Sequence, residues 1–175
     1  MQASNKAIDL IKEFEKLNST DAKKLYKEEL ESILKYLNIT LSELNWAPKV
    51  YYCPAGKPTI GYGHVITGSL EPELLTKIIT KEDAEKLLEE DLKYFVGYLN
   101  EVCKEYQVTL TQNQFDALCS FCFNLGSFKD AMLERFKNKD IKAIGNSITL
   151  YNKVNGKESN GLLNRRKAEQ KLFFS

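Results

Sequence analysis

Three side chains have types and positions that could support acid-assisted hydrolysis: Glu15, Cys53 and Thr59. A carboxyl group can protonate a leaving oxygen, and a thiol or hydroxyl can place a water molecule for attack. Hydrolysis of a glycosidic bond needs an acid and a second polar group in one cleft, so it is the reaction that these residues fit. A lone glutamate at a helix end is usually an ordinary surface residue. Whether Glu15 can act as the acid therefore depends on the helices and strands that position it.

The first element is a short amphipathic helix. Ala7, Ile11 and Phe14 recur at the spacing of one apolar helix face. Glu15 follows one turn after Ile11, at the edge of that face and near the helix end. A carboxylic acid that donates a proton near neutral pH needs such partly apolar surroundings, because they keep it protonated.

Residues 51–68 change in character, with aromatic and β-branched residues interrupted by Gly and Pro. This composition predicts short strands and tight turns, and therefore a small antiparallel sheet. Cys53 and Thr59 lie on that sheet.

The rest of the chain has helical periodicity. Two capping-box signals open helices, Thr80 with Asp83 and Thr111 with Gln114. The first helix keeps its period for about seven turns, and the second ends at Gly126. Shorter helices are predicted near 128–138, 140–151 and 162–173. The fold class is therefore α+β and mainly α, with one small sheet near the front.

Composition excludes several classes of protein. The 175 residues, 43% of them hydrophobic, suffice for one domain, and 25 basic against 24 acidic side chains create no field that attracts nucleic acid. No apolar run is long enough for stable membrane insertion and no signal peptide is evident, so we expect synthesis in the cytoplasm. The four cysteines show no doubled CxxC motif with a histidine pair, the pattern typical of a zinc site. We expect reduced thiols, no metal and no cofactor.

Five segments follow one another in a fixed order. They are Ile11-Lys-Glu-Phe-Glu15, Tyr51 to His64 with Thr-Ile-Gly-Tyr-Gly-His at its end, Ile79 to Asp91, Thr111 to Gly126, and Gly161 to Glu169. All five resemble the phage lysozymes of glycoside hydrolase family 24. They cover the chain almost end to end, except for residues near 17–45.

The resemblance implies a two-lobed lysozyme fold with a glycan-binding cleft between the lobes. It also implies cleavage of the β-1,4 bond between N-acetylmuramic acid and N-acetylglucosamine. Residues 1–175 then form a single lysozyme domain. Its predicted parts are an N-terminal lobe (1–16 and 46–79), an inserted helical segment (17–45), a connecting helix (80–106) and a helical lobe (107–175).

The family's catalytic pattern is Glu, eight residues, Asp or Cys, five residues, Thr. Cys53 and Thr59 satisfy its second half, but Leu44 stands where the glutamate belongs. Omitting residues 17–45 restores the eight-residue spacing to Glu15. We therefore interpret this stretch as an insertion.

Glu43 is the rival acid, but it is one residue off the spacing and lacks the Phe-Glu context. The insertion carries its own amphipathic pattern and a capping-box signal at Thr40, which predict helix. It could pack on the outside, cover the cleft, dock a partner, or displace Glu15.

The resemblance assigns roles to the remaining candidates. Glu15 would protonate the glycosidic oxygen and Thr59 would position the attacking water. Cys53 would act as the base if the site lowers its pKa, and the alternative is a small buried hydrophobe. His64 would pair with Asp91 as a stabilising contact.

Four further residues are predicted to contact substrate. Arg165 matches the family arginine that approaches the catalytic glutamate from the opposite lobe, whereas one of Arg165 and Arg166 is expected to be ordinary surface charge. Asn113, Gln114 and Asn124 could face glycan hydroxyls or merely serve as caps.

The functional prediction is an endolysin-type muramidase, a monomer that acts on the glycan strands of peptidoglycan. It would stay in the cytoplasm until holin-type export or lysis gives it access to the cell wall. The alternative is a non-catalytic glycan-binding or interaction protein inactivated by the insertion.

Overall fold

The computed structural model describes residues 1–53 and 55–175. Pro54, part of the predicted sheet segment, lies outside the described residues. The helices are α1 (Asn5–Glu15), α2 (Ser19–Tyr26), α3 (Leu30–Leu37), α4 (Lys81–Tyr106), α5 (Gln112–Leu125), α6 (Asp130–Lys137), α7 (Ile141–Ser147) and α8 (Asn160–Phe173). The strands are β1 (Ala47–Tyr52), β2 (Pro58–Gly61), β3 (His64–Val65), β4 (Lys153–Val154) and β5 (Lys157–Glu158). Short 3₁₀ helices cover Lys27–Glu29, Pro72–Leu75 and Ile148–Leu150.

The fold class is confirmed as mainly α with a small antiparallel sheet, in the order β1-β2-β3. Both capping boxes form, and α5 ends at Gly126 as predicted. A second, two-stranded ribbon of β4 and β5 was not predicted. Within the described residues, none of the helices combines the length and the apolar character needed to cross a membrane.

The chain divides into two compact units, and the first spans Glu15–Asp91. Ile60, Ile79 and Ala84 are fully buried in it. A methyl group added to Gly61, at φ +65°, would lie 3.4 Å from the Ala84 side chain. Glycine at this position therefore suits the positive φ, and β2 lies in van der Waals contact with the first turn of α4.

The predicted insertion is folded and belongs to this first unit. Asn18 caps α2 by accepting a hydrogen bond from the backbone N–H of Asp21 (2.9 Å). The buried side chains of the segment are Ala22, Tyr26, Leu30, Ile33 and Leu44. The Tyr26 hydroxyl donates to the backbone oxygen of Lys49 in β1 (2.8 Å). The insertion is therefore anchored to the sheet.

One detail of the insertion prediction is wrong. Glu43 accepts hydrogen bonds from the backbone and hydroxyl of Thr40, as in a capping box. Residues 41–43 nevertheless form a turn with no helix after it. Buried Leu44 and Trp46 follow at once, because the chain must enter β1.

The second unit comprises Met1–Phe14 and residues 92–175. Its core combines aliphatic and aromatic side chains from the helices, and Phe115, Phe121 and Phe136 are fully buried in it. Residues 1–14 pack with these helices, although they were assigned to the lobe that carries the sheet. A long-range contact contributes to this packing, since Ser4 N–H donates to the buried carboxylate of Asp116 (2.8 Å).

Candidate active site

Glu15 is the last residue of α1 and is half-buried. Two residues later, the backbone N–H of Leu17 donates to the Asn45 carbonyl (3.2 Å). A methyl group built on Gly63 would lie 3.0 Å from Oε2 and 3.4 Å from Cδ of Glu15. The carboxyl group therefore lies directly against the turn between β2 and β3.

The β1–β2 hairpin positions Cys53 and Thr59. Tyr51 pairs with Thr59 in the antiparallel register. Beyond β1, the N–H of Cys53 donates to Lys57 O (3.0 Å) and the N–H of Gly56 donates to Cys53 O (2.8 Å). Cys53 thus closes the end of the hairpin.

The hairpin end also sets the ionisation of Cys53. A hydrogen bond from the Lys57 backbone is the largest effect and lowers the pKa of the thiol. Partial burial opposes it, while hydrogen bonds from the Ala55 backbone and the Thr59 side chain and the Lys57 charge lower the pKa further. The alternative of a buried hydrophobe is wrong, because Cys53 is partly exposed and hydrogen-bonded. A larger fraction of this thiol is therefore ionised near neutral pH than of an ordinary thiol.

Thr59 is 2% exposed, and its hydroxyl donates to the backbone oxygen of Lys57 (3.0 Å). The same hydroxyl lies close enough to Cys53 to lower the pKa of its thiol. Its single proton serves one acceptor at a time, so donation to Lys57 O and donation to the Cys53 sulfur alternate, while the oxygen lone pairs can accept a hydrogen bond from water. Thr59 and Cys53 therefore form a neighbouring pair.

Tyr51 connects this pair electrostatically to Glu15. Burial raises the pKa of the Tyr51 hydroxyl, and the negative charges of Glu15 and Cys53 raise it further. Both groups act on one phenol, so the structure brings Glu15 and Cys53 to the same part of the first unit.

The rival acid Glu43 lies on the surface. Hydrogen bonds from the Thr40 backbone and then from its hydroxyl, both 2.7 Å, lower the pKa of this carboxyl. Such contacts favour the ionised form, which is the opposite of what a proton donor requires. The geometry favours Glu15.

The predicted pair of His64 and Asp91 is confirmed, with Nδ1 3.0 Å from both carboxylate oxygens. The sequence interpretation missed a second carboxylate, since Nε2 lies 3.2 Å from both oxygens of Glu71. The Asp91 hydrogen bond is the largest effect and raises the pKa of His64, against the effect of burial. The imidazole therefore connects β3 with α4 and with the loop that carries Glu71.

The predicted glycan-contacting residues of α5 lie in the second unit and are not clustered. Gln114 completes a capping box with Thr111. Asn113 accepts from Lys6 Nζ (2.8 Å) and donates to the backbone of Ser175 (2.9 Å). Asn124 is about three turns further along α5. Glycan contact by these residues stays a prediction.

Arg165 and Arg166 are both buried, at 3% and 0% exposure. The expectation that one of them is ordinary surface charge is therefore wrong. They flank Glu169, with Arg165 Nε 3.2 Å from Oε1 and Arg166 Nε 3.0 Å from Oε2. Ser120 also donates to Oε1 (2.8 Å). Burial raises the pKa of Glu169, against the effect of both arginines.

Comparisons with known proteins show the family of this chain. Residues 42–169 match the model of a family described as phage lysozyme. This chain belongs to the phage lysozyme family. The match begins after Glu15, so the placement of Glu15 rests on the structure and the spacing.

Two endolysins illustrate how similar the phage lysozymes are to this chain. That of Acyrthosiphon pisum secondary endosymbiont phage 1 is 39% identical over 134 residues, which cover 73% of this chain and 86% of that protein. That of Bacillus phage PZA is 41% identical over 120 residues, 67% of this chain, although these span only 44% of its own length.

The solved structure of an endolysin extends the likeness to the fold. The endolysin from Escherichia coli O157:H7 phage FAHEc1 is 29% identical, with a TM-score of 0.68. The comparison covers 100% of this chain and 94% of that chain.

Sequence reasoning missed two residues of this candidate site. Tyr51 and Gly63 lie inside the quoted motif, yet their proximity to Glu15 depends on the fold. A local signal existed for the buried arginine cluster, because residues 165 and 166 precede Glu169 by four and three positions in one helix.

Proposed function

We propose that this chain is an endolysin-type muramidase, which hydrolyses the β-1,4 bond between N-acetylmuramic acid and N-acetylglucosamine in peptidoglycan. Membership of the phage lysozyme family supports the reaction class. The observation that carries the proposal is the contact of Glu15 with Gly63, in the same unit as Cys53 and Thr59.

Glu15 supplies the proton in the first part of the reaction. Its carboxyl transfers a proton to the glycosidic oxygen as the bond from that oxygen to C1 of the N-acetylmuramic acid breaks. The other sugar leaves with a new hydroxyl group. Contact with the Gly63 backbone limits where the carboxyl can lie, and general acid catalysis depends on that geometry.

Cys53 and Thr59 act on the water. Thr59 positions the water through its hydroxyl oxygen, and the Cys53 thiolate accepts a proton as the water oxygen bonds to C1. The backbone and side-chain hydrogen bonds that lower the Cys53 pKa increase the thiolate fraction at neutral pH. The first unit offers no second carboxylate in the described hairpin, residues 47–53 and 55–61, so we propose inversion without a covalent glycosyl-enzyme.

The test is clearance of a peptidoglycan suspension by the wild type, Glu15→Gln and Glu43→Gln. We expect Glu15→Gln to lose at least about 100-fold in rate, as for removal of a general acid. Glu43→Gln is the matched control and should keep wild-type activity. A wild type that binds the suspension but clears it no faster than Glu15→Gln would instead support the non-catalytic alternative.

We also propose that the enzyme works as a monomer and remains in the cytoplasm until export or lysis exposes the cell wall. The family supports a cell-wall substrate. Light scattering of the purified protein tests the first point, and a dimer mass would contradict it. Fractionation of expressing cells tests the second, with recovery in the membrane fraction as the contrary result.

A further inference from the structure

We propose that Asn45, the last residue of the insertion, is a positioning residue for Glu15 and acts through Tyr62 and Gly63. The proposal rests on the function proposed above, in which Glu15 is the acid. On this proposal, the insertion contributes to catalysis and is not merely accommodated by the fold.

Asn45 holds the chain just after the acid. Its carbonyl accepts the hydrogen bond from Leu17 N–H (3.2 Å), and Leu17 is two residues beyond Glu15. The backbone that leaves α1 is therefore fixed to the final residue of the insertion. Glu15 lies two residues before this hydrogen bond.

The side chain of Asn45 contacts Tyr62, the residue before Gly63. Its Oδ1 accepts a hydrogen bond from the Tyr62 hydroxyl (3.0 Å). Tyr62 is 2% exposed, and burial raises its pKa to about 12, so it remains a neutral donor. Removal of this hydrogen bond from a buried hydroxyl is unfavourable, which gives the ring a reason to move when Asn45 is truncated.

Movement of Tyr62 reaches the acid through its neighbour. Gly63 follows Tyr62 in the chain, and its backbone lies against the Glu15 carboxyl. Asn45 thus restrains Glu15 from two sides, through Leu17 after the helix and through Gly63 across from the carboxyl. Small displacements of a catalytic group lower rates strongly.

The experiment compares steady-state kinetics on soluble glycan fragments. We expect Asn45→Ala to lower kcat about tenfold, as for a displaced catalytic group, with KM changed less than about twofold. Tyr62→Phe should lower kcat similarly. The double variant should be no worse than either single one, because both remove the same hydrogen bond. Asn45→Asp keeps an acceptor oxygen and should restore most of kcat.

Asn18→Ala is the matched control. It removes an asparagine from the same insertion and takes away the cap of α2, so it should lower Tm and leave kcat unchanged. An unchanged kcat in Asn45→Ala, or additive effects in the double variant, would overturn the proposal.

A second readout separates this proposal from the catalytic one. The amide resonance of Gly63 should shift in Asn45→Ala and stay in place in Asn18→Ala, whether or not the enzyme is active. If Glu15→Gln kept full activity, the catalytic assignment would fail while this shift still reported the linkage. An unmoved Gly63 resonance would show that Asn45 does not control that turn.

Discussion

Gly63→Ala is the substitution that most directly tests the contact between the β2–β3 turn and the acid. The added methyl group would lie 3.0 Å from Oε2 of Glu15, whereas ordinary contacts begin near 3.4 Å. The atom in the way belongs to the end of a flexible side chain, so the carboxyl moves by a few tenths of an ångström and the backbone does not. We expect kcat to fall about tenfold, given the sensitivity of catalysis to such displacements.

The same substitution has a separate effect on stability. Gly63 has φ +86°, where a residue with a Cβ is less stable by about 1–2 kcal/mol. For a protein of this length, that corresponds to a decrease in Tm of about 2–8 °C. Lost stability alone must therefore be separated from lost catalysis.

Gly156→Ala provides that separation. Gly156 has φ +79°, and nothing lies within 4 Å of an added methyl group. It should lose a similar amount of Tm and keep full activity. Turbidity clearance and thermal unfolding of both variants give the answer. If Gly63→Ala keeps more than half of the wild-type kcat, or if Gly156→Ala loses as much, the reasoning about Glu15 is refuted.

Two further predictions concern ionisable groups. Iodoacetamide near neutral pH should alkylate Cys53 and inactivate the enzyme, because the pKa of this thiol is lowered. Cys119 is fully buried and its pKa is raised to about 12, so it should stay unmodified in the mass spectrum. Equal labelling of the two cysteines would contradict the lowered pKa of Cys53. The folded pKa of His64 is raised, so its stabilisation is complete below the unfolded pKa of about 6.5 and is lost as pH rises through the folded value. Asp91→Asn should thus differ most from wild type in urea unfolding at about pH 6 and progressively less above it. A difference independent of pH would exclude this role.

Local signals in the sequence predicted most of the fold. Capping boxes and a sustained helical period define α4 and α5, because both are properties of neighbouring residues. The ribbon of β4 and β5 was missed, although Asn155 and Gly156, both with positive φ, form the turn that Asn-Gly favours. The strands flanking it are only two residues long, so they have no detectable alternation.

The site was predictable only in part, because spacing and burial are different kinds of information. The separation of Cys53 and Thr59 is read directly from the chain. The preference for Glu15 over Glu43 depends on contacts with Gly63 and Thr40. The burial of Arg166 depends on packing against the Phe121 ring, 4.8 Å away, which no local pattern reveals.

The hydrogen bond between Leu17 and Asn45 has a practical use. It brings the two ends of the inserted segment next to each other. The entropy of closing a loop depends weakly on its length once its ends are held. Residues 19–44 are therefore a place where one folded segment can be exchanged for another, such as a cell-wall anchor or a reporter tag, if the new segment also replaces the Tyr26 contact with β1. Such fusions would keep Leu17 and Asn45, and with them the hydrogen bond at which the segment begins and ends.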